Sequence, residues 1–181
     1  TVKKVSLELG GNAPFIVFDD ADIEAAVQGA MASKFRNSGQ TCVCANRILV
    51  QHTVYDAFTN ALLAQMKTLK LGNGLDAGVN QGPLINEDAI AKVKRHVADA
   101  VSKGGQVLCG GNALPGLFYA PTLIASANPS MQLAQEETFG PVAPLFRFET
   151  EAEAIQLANN TNVGLAAYFY SRDIARIWRV S

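Results

Sequence analysis

The segment Ser38-Gly39-Gln40-Thr41-Cys42-Val43-Cys44 holds the residue types with which proteins attack a carbonyl group. Cys42 follows a glycine and two polar residues and stands just ahead of an apolar run, a setting typical of a presented nucleophile. A thiolate is a strong nucleophile, and a backbone N–H beside it could hold the oxyanion formed by its attack. The residues leave one alternative open, which is a structural cysteine at the start of a buried strand.

A lone carboxylate followed by two glycines, Glu8-Leu9-Gly10-Gly11, lies upstream of Cys42. Glu8 stands in the otherwise apolar stretch 5–18, where a carboxylate is expected to have a raised pKa and to act as a general base near neutral pH. The glycines permit a backbone to approach a ligand closely. The residues alone also allow Glu8 to lie on a solvated face or to cap a helix.

The bulk properties exclude several classes of function. With 181 residues the chain can form one domain with a sizeable core, and its net charge of -1 gives no electrostatic case for nucleic acid or an anionic membrane surface. No apolar run approaches the roughly 20 residues of a membrane span.

The chain starts at Thr1 beside a motif and stops at Ser181 within a helical pattern, so we expect an internal piece of a longer protein.

The cysteines also bear on the compartment. Cys42, Cys44 and Cys109 make no disulfide framework of the secreted type, which predicts a reducing, cytoplasmic environment. No Cys/His cluster has zinc spacing, so we predict no metal site. Cys109, at the end of a strand, is predicted to be a core residue, whereas His52 and His96 are predicted to lie on the surface or in loops.

Strand and helix patterns alternate along the chain, which predicts an α/β fold with a largely parallel sheet and flanking helices. Strands are predicted at residues 13–18, 48–50, 106–109, 142–148 and 165–170, with Pro144 favouring an edge strand or a bend. Helices are predicted after Asp19-Asp20, from Thr53 with Asp56 as a capping box, from Asn86 to Gly104, from Thr150 with Glu153 as a capping box, and at residues 174–180. Buried stripes are expected at Ile90, Val93, Val97 and Val101, and packing roles at Tyr168, Tyr170 and Trp178.

Three segments together resemble the signature segments of the aldehyde dehydrogenase superfamily, in the right order. They are Glu8-Leu9-Gly10-Gly11, Gly39-Gln40-Thr41-Cys42 and Glu136-Glu137-Thr138-Phe139-Gly140-Pro141. The resemblance spans residues 1–181 and implies the catalytic domain of the aldehyde dehydrogenase fold, with the coenzyme-binding domain and a C-terminal segment outside the chain. It also implies NADP or NAD as coenzyme and a homo-oligomer.

The same resemblance assigns roles to individual residues. Cys42 corresponds to the catalytic nucleophile and Glu8 to the general base that activates water. Glu137 corresponds to the carboxylate that binds the nicotinamide ribose and Phe139 to the aromatic beside the nicotinamide, and Leu9 and Gly10 are further expected coenzyme contacts. Without the resemblance, Glu136-Glu137 is a solvated acidic pair and Phe139 a core aromatic.

Residues 35–47 are similar to the corresponding segment of succinate-semialdehyde dehydrogenases. Arg36 stands six residues before Cys42, where its guanidinium could hold a carboxylate at the far end of a short aldehyde. The predicted substrate is therefore succinate semialdehyde, or another carboxylate-bearing aldehyde such as glutarate semialdehyde. The alternative is a surface arginine.

Cys44 has two interpretations. Residues i and i+2 of an extended segment point to the same side, and a Cys42–Cys44 disulfide would be strained and readily reduced. The resemblance implies a possible redox switch, and the alternative is passive packing. Two other functions stay open, namely a non-catalytic scaffold of the same superfamily and a thiol sensor that uses Cys42 and Cys44.

Overall fold

The computed structural model describes residues 2–181 and contains a six-stranded sheet with helices on both faces. The strands are β1 Ala13–Val17, β2 Ala45–Gln51, β3 Gln106–Cys109, β4 Thr122–Ala127, β5 Val142–Phe148 and β6 Tyr168–Tyr170. The helices are α1 Ile23–Lys34, α2 Tyr55–Met66, α3 Glu87–Ser102, α4 Gln132–Gln135, α5 Glu151–Asn159 and α6 Ile174–Val180. A short 3-10 helix, Arg36–Gly39, follows α1.

The strand order is β3-β4-β5-β2-β1-β6, and only β3 runs antiparallel to its neighbour. Alternate strand residues face two different cores because side chains alternate across a strand. Phe15 and Ile48 pack with α1 and α2, whereas Ile16 and Leu49 pack with α3, α4 and α5. The predicted α/β fold with a largely parallel sheet and flanking helices is thus confirmed.

The predicted helix starts were partly wrong. Asp22, rather than Asp19 or Asp20, caps α1 by accepting a hydrogen bond from the backbone N–H of Ala25. Helix α2 begins at Tyr55 after Val54, with no side-chain cap, so the box expected at Thr53 and Asp56 does not form. Helix α3 starts directly after Asn86, as predicted, and the predicted cap at Thr150 of α5 forms.

Pro144 does not mark an edge, because β5 lies between β4 and β2 in the middle of the sheet. Pro144 stands opposite Ile124 of β4, whereas the pairing with β2 begins only at Leu145. The missing N–H of the proline therefore falls outside the β2 ladder, and a central strand tolerates it.

Several predicted positions were also wrong. His96 is fully buried on the stripe of α3 that holds Val93 and Val97, whereas Val101 is half exposed. Trp178 is exposed, and α6 docks instead through the ion pairs of Arg176 and through Val180, which packs against the core. His52 is a partly exposed partner of Glu149, as expected, and Cys109 is half-buried against the core. Within residues 2–181, no helix is both long and apolar enough to cross a membrane.

Candidate active site

All three signature segments precede a strand, and the sheet brings them to one edge. Glu8 comes before β1, Cys42 before β2 and Glu137 before β5. These strands are parallel neighbours in the order β5-β2-β1, so their amino ends meet at the same edge. A cavity of about 380 Å³ there is lined by Glu8, Leu9, Gly10, Gln40, Thr41, Cys42, Glu137 and Phe139. Its volume falls in the range of about 300–1,000 Å³ that is usual for small-molecule sites.

Residues 36–44 form the nucleophile loop, and Cys42 lies in a tight turn within it. The backbone N–H of Cys44 donates to the Thr41 carbonyl at 2.9 Å, which places Cys42 at the second position of the turn. No carbonyl or side chain of residues 2–181 accepts a hydrogen bond from the Cys42 N–H. Such an N–H can receive the oxyanion that forms when the thiolate attacks a carbonyl.

Side chains of the nucleophile loop anchor it to the segment that precedes α3. The Gln40 amide accepts from the Ile85 N–H at 2.9 Å and donates to the Pro83 carbonyl at 3.2 Å. The Ser38 hydroxyl donates to the Gly82 carbonyl at 2.8 Å. From the other side, the Tyr168 hydroxyl of β6 donates to the carbonyl of Val43, directly beside Cys42, at 2.7 Å.

Two glycines let the nucleophile loop contact residues 136–140, here named the coenzyme segment. Gly39 has φ +76°, and a Cβ at this position would overlap the Gly140 carbonyl oxygen. A Cβ on Gly140 would in turn come within 2.5 Å of Val93 on α3. Only glycine fits either position without displacing its neighbour.

The glycines after Glu8 let the chain pass close to the other two segments. A Cβ on Gly10 would lie 2.8 Å from the Glu137 carboxylate, and a Cβ on Gly11 would lie 2.6 Å from the Cys42 carbonyl oxygen. The Gly11 N–H donates to Glu137 Oε1 at 3.2 Å. Glu137 is therefore an acceptor that faces the cavity beside Cys42.

Residues 2–10 form the base segment, and Glu8 is not in the apolar setting expected from its neighbours. The segment has no helix or strand, and Val5, Leu7 and Leu9 are all exposed together with Glu8. Apolar neighbours along the sequence do not bury a side chain when the backbone itself runs over the surface. Glu8 lines the cavity, but residues 2–181 leave its carboxylate in contact with solvent.

Arg36 is exposed at the start of the nucleophile loop and does not line the Cys42 cavity. It lines a neighbouring groove of about 540 Å³ between α1 and α2. Burial raises the pKa of the Tyr168 hydroxyl, the nearby Cys44 and Cys42 raise it further, and Arg36 acts in the opposite direction. A role for Arg36 in holding a substrate stays a prediction.

Cys44 is buried and its Sγ lies 3.9 Å from the Arg36 carbonyl, while Cys42 is half-buried and both are free thiols. Behind them Lys34 is fully buried at the end of α1. Burial lowers the pKa of Lys34 to about 8, although Cys44 and Glu137 both act to raise it. The redox exchange between Cys42 and Cys44 stays a prediction.

Tyr168, Lys34 and His96 are the residues near the site that the sequence analysis missed. For His96 the spacing from Val93 on a helical stripe could have indicated burial. Nothing in the sequence places Tyr168 beside Val43, since that contact depends on β6 lying next to β1. Within residues 2–181, no group of three or more His, Cys, Asp or Glu side chains could hold a metal ion.

The residues present fit a nicotinamide coenzyme. Glu137 supplies a carboxylate that can accept hydrogen bonds from hydroxyl groups, and Phe139 supplies a partly exposed ring. Gly10 has no side chain, so its backbone can approach a ligand closely. The Oγ1 of Thr41, next to Cys42, is buried without a hydrogen-bond partner, so a polar ligand in this cavity would satisfy it.

Comparisons with known proteins agree with this geometry. The family model described as "Aldehyde dehydrogenase family" matches residues 1–181. Succinate semialdehyde dehydrogenase of Acinetobacter baylyi is 61% identical over 100% of this chain and 38% of its own length. Glutarate-semialdehyde dehydrogenase of Pseudomonas aeruginosa is 59% identical over 99% of this chain and 38% of its own length.

Solved structures give the same result. The crystal structure of succinate-semialdehyde dehydrogenase from Burkholderia pseudomallei matches with a TM-score of 0.97 and 58% identity, over 99% of this chain and 38% of that chain. This chain thus spans 38% of the length of these relatives. By its sequence, its fold and the arrangement of its signature segments, the chain belongs to the aldehyde dehydrogenase family.

Proposed function

We propose that this chain is the catalytic portion of a longer NADP- or NAD-dependent dehydrogenase that oxidises an aldehyde to a carboxylic acid through a cysteine thioester. The observation that carries the proposal is the convergence of Cys42, Glu8 and Glu137 on one cavity from three separate segments. A nucleophile, a carboxylate base and a hydroxyl-binding carboxylate are the groups that such a reaction needs.

In this mechanism the Cys42 thiolate attacks the aldehyde carbon, and the carbonyl oxygen becomes an oxyanion that the Cys42 N–H receives. A bound nicotinamide would supply the acceptor for the hydride that leaves this carbon, and Cys42 would then carry the substrate as a thioester. Glu8 then takes a proton from a water molecule whose oxygen attacks the thioester. The C–S bond of the thioester breaks, the carboxylic acid is released and Cys42 returns as a thiolate. Glu8 then gives its proton to solvent, so the net reaction consumes one water and releases one proton.

The proposed substrate is succinate semialdehyde, and glutarate semialdehyde is the alternative, because enzymes for both are about equally similar to this chain. Both aldehydes carry a carboxylate at the far end. Arg36 is the proposed partner of that carboxylate, since it is an exposed cation directly before the nucleophile loop turns toward Cys42. A bidentate guanidinium–carboxylate pair would favour such aldehydes over neutral ones.

The nucleophile is tested in the full-length protein with Cys42→Ala, and Cys109→Ala serves as the control. We expect Cys42→Ala to abolish aldehyde oxidation while NADPH or NADH still binds, and Cys109→Ala to keep the wild-type rate. Dehydrogenase activity that survives in Cys42→Ala would refute the proposal. A wild-type protein that binds neither coenzyme would instead support a non-catalytic scaffold.

A chemical test applies to the chain itself. Burial raises the pKa of the Cys109 thiol, so little of it is thiolate at neutral pH. Iodoacetamide should therefore modify Cys42 first, as peptide mapping by mass spectrometry would detect. Equal or slower modification of Cys42 would argue against an activated thiol. A reversible loss of two hydrogens on mild oxidation would support the thiol sensor instead.

The substrate assignment is tested by Arg36→Ala, with the exposed Arg172→Ala as a matched loss of charge. We expect Arg36→Ala to lower kcat/KM for succinate semialdehyde by an amount equivalent to on the order of 2–5 kcal/mol, because a charged pair is lost. A neutral aldehyde of similar length should change little. Equal losses for both aldehydes would refute the carboxylate anchor.

A further inference from the structure

The side chain of His96 is fully buried on α3, and both of its ring nitrogens contact the coenzyme segment. Nε2 lies 3.2 Å from Glu136 Oε2, and Nδ1 lies 3.2 Å from the Thr138 hydroxyl oxygen. Thr138 is itself buried. These two partners stand on either side of Glu137 in the sequence, and the proposed function above gives none of the three side chains a role.

The partners determine which nitrogen of His96 carries the proton. An ionised Glu136 carboxylate can only accept, so Nε2 must donate to it. In the neutral ring Nδ1 is then an acceptor, and the Thr138 hydroxyl donates to it. Burial lowers the pKa of His96, with the bond to Glu136 acting in the opposite direction, so the neutral ring is favoured at pH 7. One tautomer therefore satisfies both bonds.

The main chain of the coenzyme segment is held separately by Asn46 of β2. Its side-chain amide donates to the Glu136 carbonyl at 3.0 Å and accepts from the Thr138 N–H at 3.0 Å. Asn46 thus sets where the backbone runs, whereas His96 holds the side chains of Glu136 and Thr138. Clamped in both ways, the segment has little freedom to rotate, and Glu137 points into the cavity.

The next residue, Phe139, shows why such a clamp is needed. Its φ of 54° lies in the left-handed region, which non-glycine residues rarely adopt. A conformation of this kind costs on the order of 1–3 kcal/mol and persists only where the surroundings enforce it. Val93, one turn before His96 on α3, lies where a Cβ on Gly140 would be, but an apolar neighbour alone does not fix the rotation of residues 136–138.

We propose that His96 is a positioning residue which, through Glu136 and Thr138, holds Glu137 and Phe139 in the geometry that binds the coenzyme. The inference rests on the proposed function, because it assigns coenzyme contacts to Glu137 and Phe139. His96 itself does not line the cavity. Its effect is therefore on coenzyme affinity rather than on the bond-making steps at Cys42.

The test uses the full-length protein and three substitutions. His96→Leu fills the space without either hydrogen bond, while His96→Gln and His96→Asn each restore one polar contact. His52→Gln is the matched control, since His52 is a partly exposed histidine that pairs with Glu149 away from the site. The dissociation constants of NADPH and NADH are measured by fluorescence titration, alongside kcat at saturating coenzyme and the midpoint of urea unfolding.

We expect His96→Leu to weaken binding of the preferred coenzyme about tenfold, which is the scale of one or two lost hydrogen bonds. His96→Gln or His96→Asn should recover part of this loss, and kcat at saturation should stay within about twofold of wild type. His52→Gln should match wild type throughout. A purely structural histidine would lower the unfolding midpoint but leave the dissociation constant of the folded enzyme unchanged, and that result overturns the inference.

A second measurement does not depend on coenzyme binding. Nitrogen-15 chemical shifts of the His96 ring should report a neutral ring with the proton on Nε2, and Thr138→Val should shift the Nδ1 signal. A proton on Nδ1 would overturn the inference even if the variants bind coenzyme weakly. If the wild-type protein binds neither NADPH nor NADH, the proposed function fails and this inference fails with it.

Discussion

The nucleophile loop and the base segment approach the same cavity, yet they are held in opposite ways. The loop is fixed by Gln40 and Ser38 on one side and by Tyr168 on the other. The base segment makes no hydrogen bond to the remainder of the described chain, and its first link to the site is the Gly11 N–H. Among the described residues, the loop around Cys42 is therefore held from two sides, whereas the segment around Glu8 is not held by hydrogen bonds.

The largest expected effect comes from adding a side chain at the point where the nucleophile loop contacts the coenzyme segment. Gly39→Ala places a Cβ onto the Gly140 carbonyl at a positive φ, so we expect a loss of about 3–5 kcal/mol in the free energy of unfolding. Gly74→Ala is the control, because its Cβ would meet nothing within 4 Å. Urea unfolding measures both, and equal stabilities would contradict the described contact.

The next effect concerns the buried charge under the loop. Burial lowers the pKa of Lys34 to about 8 in the folded chain, against an ordinary value of 10.5 for an exposed lysine. Between pH 8 and pH 10.5 Lys34 binds a proton more readily in the unfolded chain, so the free energy of unfolding rises with pH. Below pH 8 the burial of the charged Lys34 lowers the free energy of unfolding by its full amount, about 3 kcal/mol at most. Lys34→Met should remove the penalty and flatten this rise, as urea unfolding from pH 7 to 10.5 would show.

Exposed Lys94→Met provides the matched control for that experiment. It removes the same charge without relieving burial, so its pH dependence should follow wild type. If Lys34→Met also follows wild type, then Lys34 is not buried as a cation, and no buried charge near the nucleophile loop lowers the stability of the chain.

A smaller effect is expected where β6 holds the loop. Tyr168→Phe removes only the hydroxyl that donates to the Val43 carbonyl, and should cost about 0.5–1.5 kcal/mol of stability. In the full-length protein, kcat should fall as the turn around Cys42 loosens. Tyr170→Phe on the same strand is the control, since its hydroxyl makes no hydrogen bond to another described residue. Similar costs for both would show that the bond to Val43 contributes little.

The smallest effect is expected in the base segment. Leu7→Ser should change the stability of this chain by less than about 0.5 kcal/mol, because Leu7 is 67% exposed. Buried Leu62→Ala should instead cost about 2–5 kcal/mol. In the full-length protein Leu7→Ser should become costly if other segments cover it. A large loss in the chain alone would mean that the base segment is anchored here after all.

Four residues singled out from the sequence, Glu8, Cys42, Glu137 and Phe139, line one cavity in the structure, and their roles there stay predictions. Apolar runs identified β1, β2, β3, β5 and β6, but β4 was not predicted. The start of α3 near Asn86 and the cap at Thr150 followed from local signals that need no tertiary contact. The meeting of the three signature segments could not be derived from periodicity, because it depends on the strand order β5-β2-β1. Only the resemblance to a family supplied it.

The errors have a common physical origin in long-range contacts. Glu8 was expected in an apolar environment because its neighbours in sequence are apolar, but burial depends on what packs over a segment. His96 was expected at the surface or in a loop because no partner stands near it at catalytic spacing in the sequence, whereas Glu136 and Thr138 satisfy both of its nitrogens. Trp178 was expected to pack, yet it is exposed, and α6 docks through Arg176 and Val180 instead.

The contact between Gly39 and Gly140 also limits how this scaffold can be redesigned. Directed-evolution libraries that aim at new aldehydes would naturally randomise the residues beside Cys42 and Phe139. The first library would include Gly39, where a Cβ would overlap the Gly140 carbonyl. The second would include Gly140, where a Cβ would overlap Val93. Randomising either glycine would fill the library with misfolded variants, so both should stay fixed while their neighbours vary.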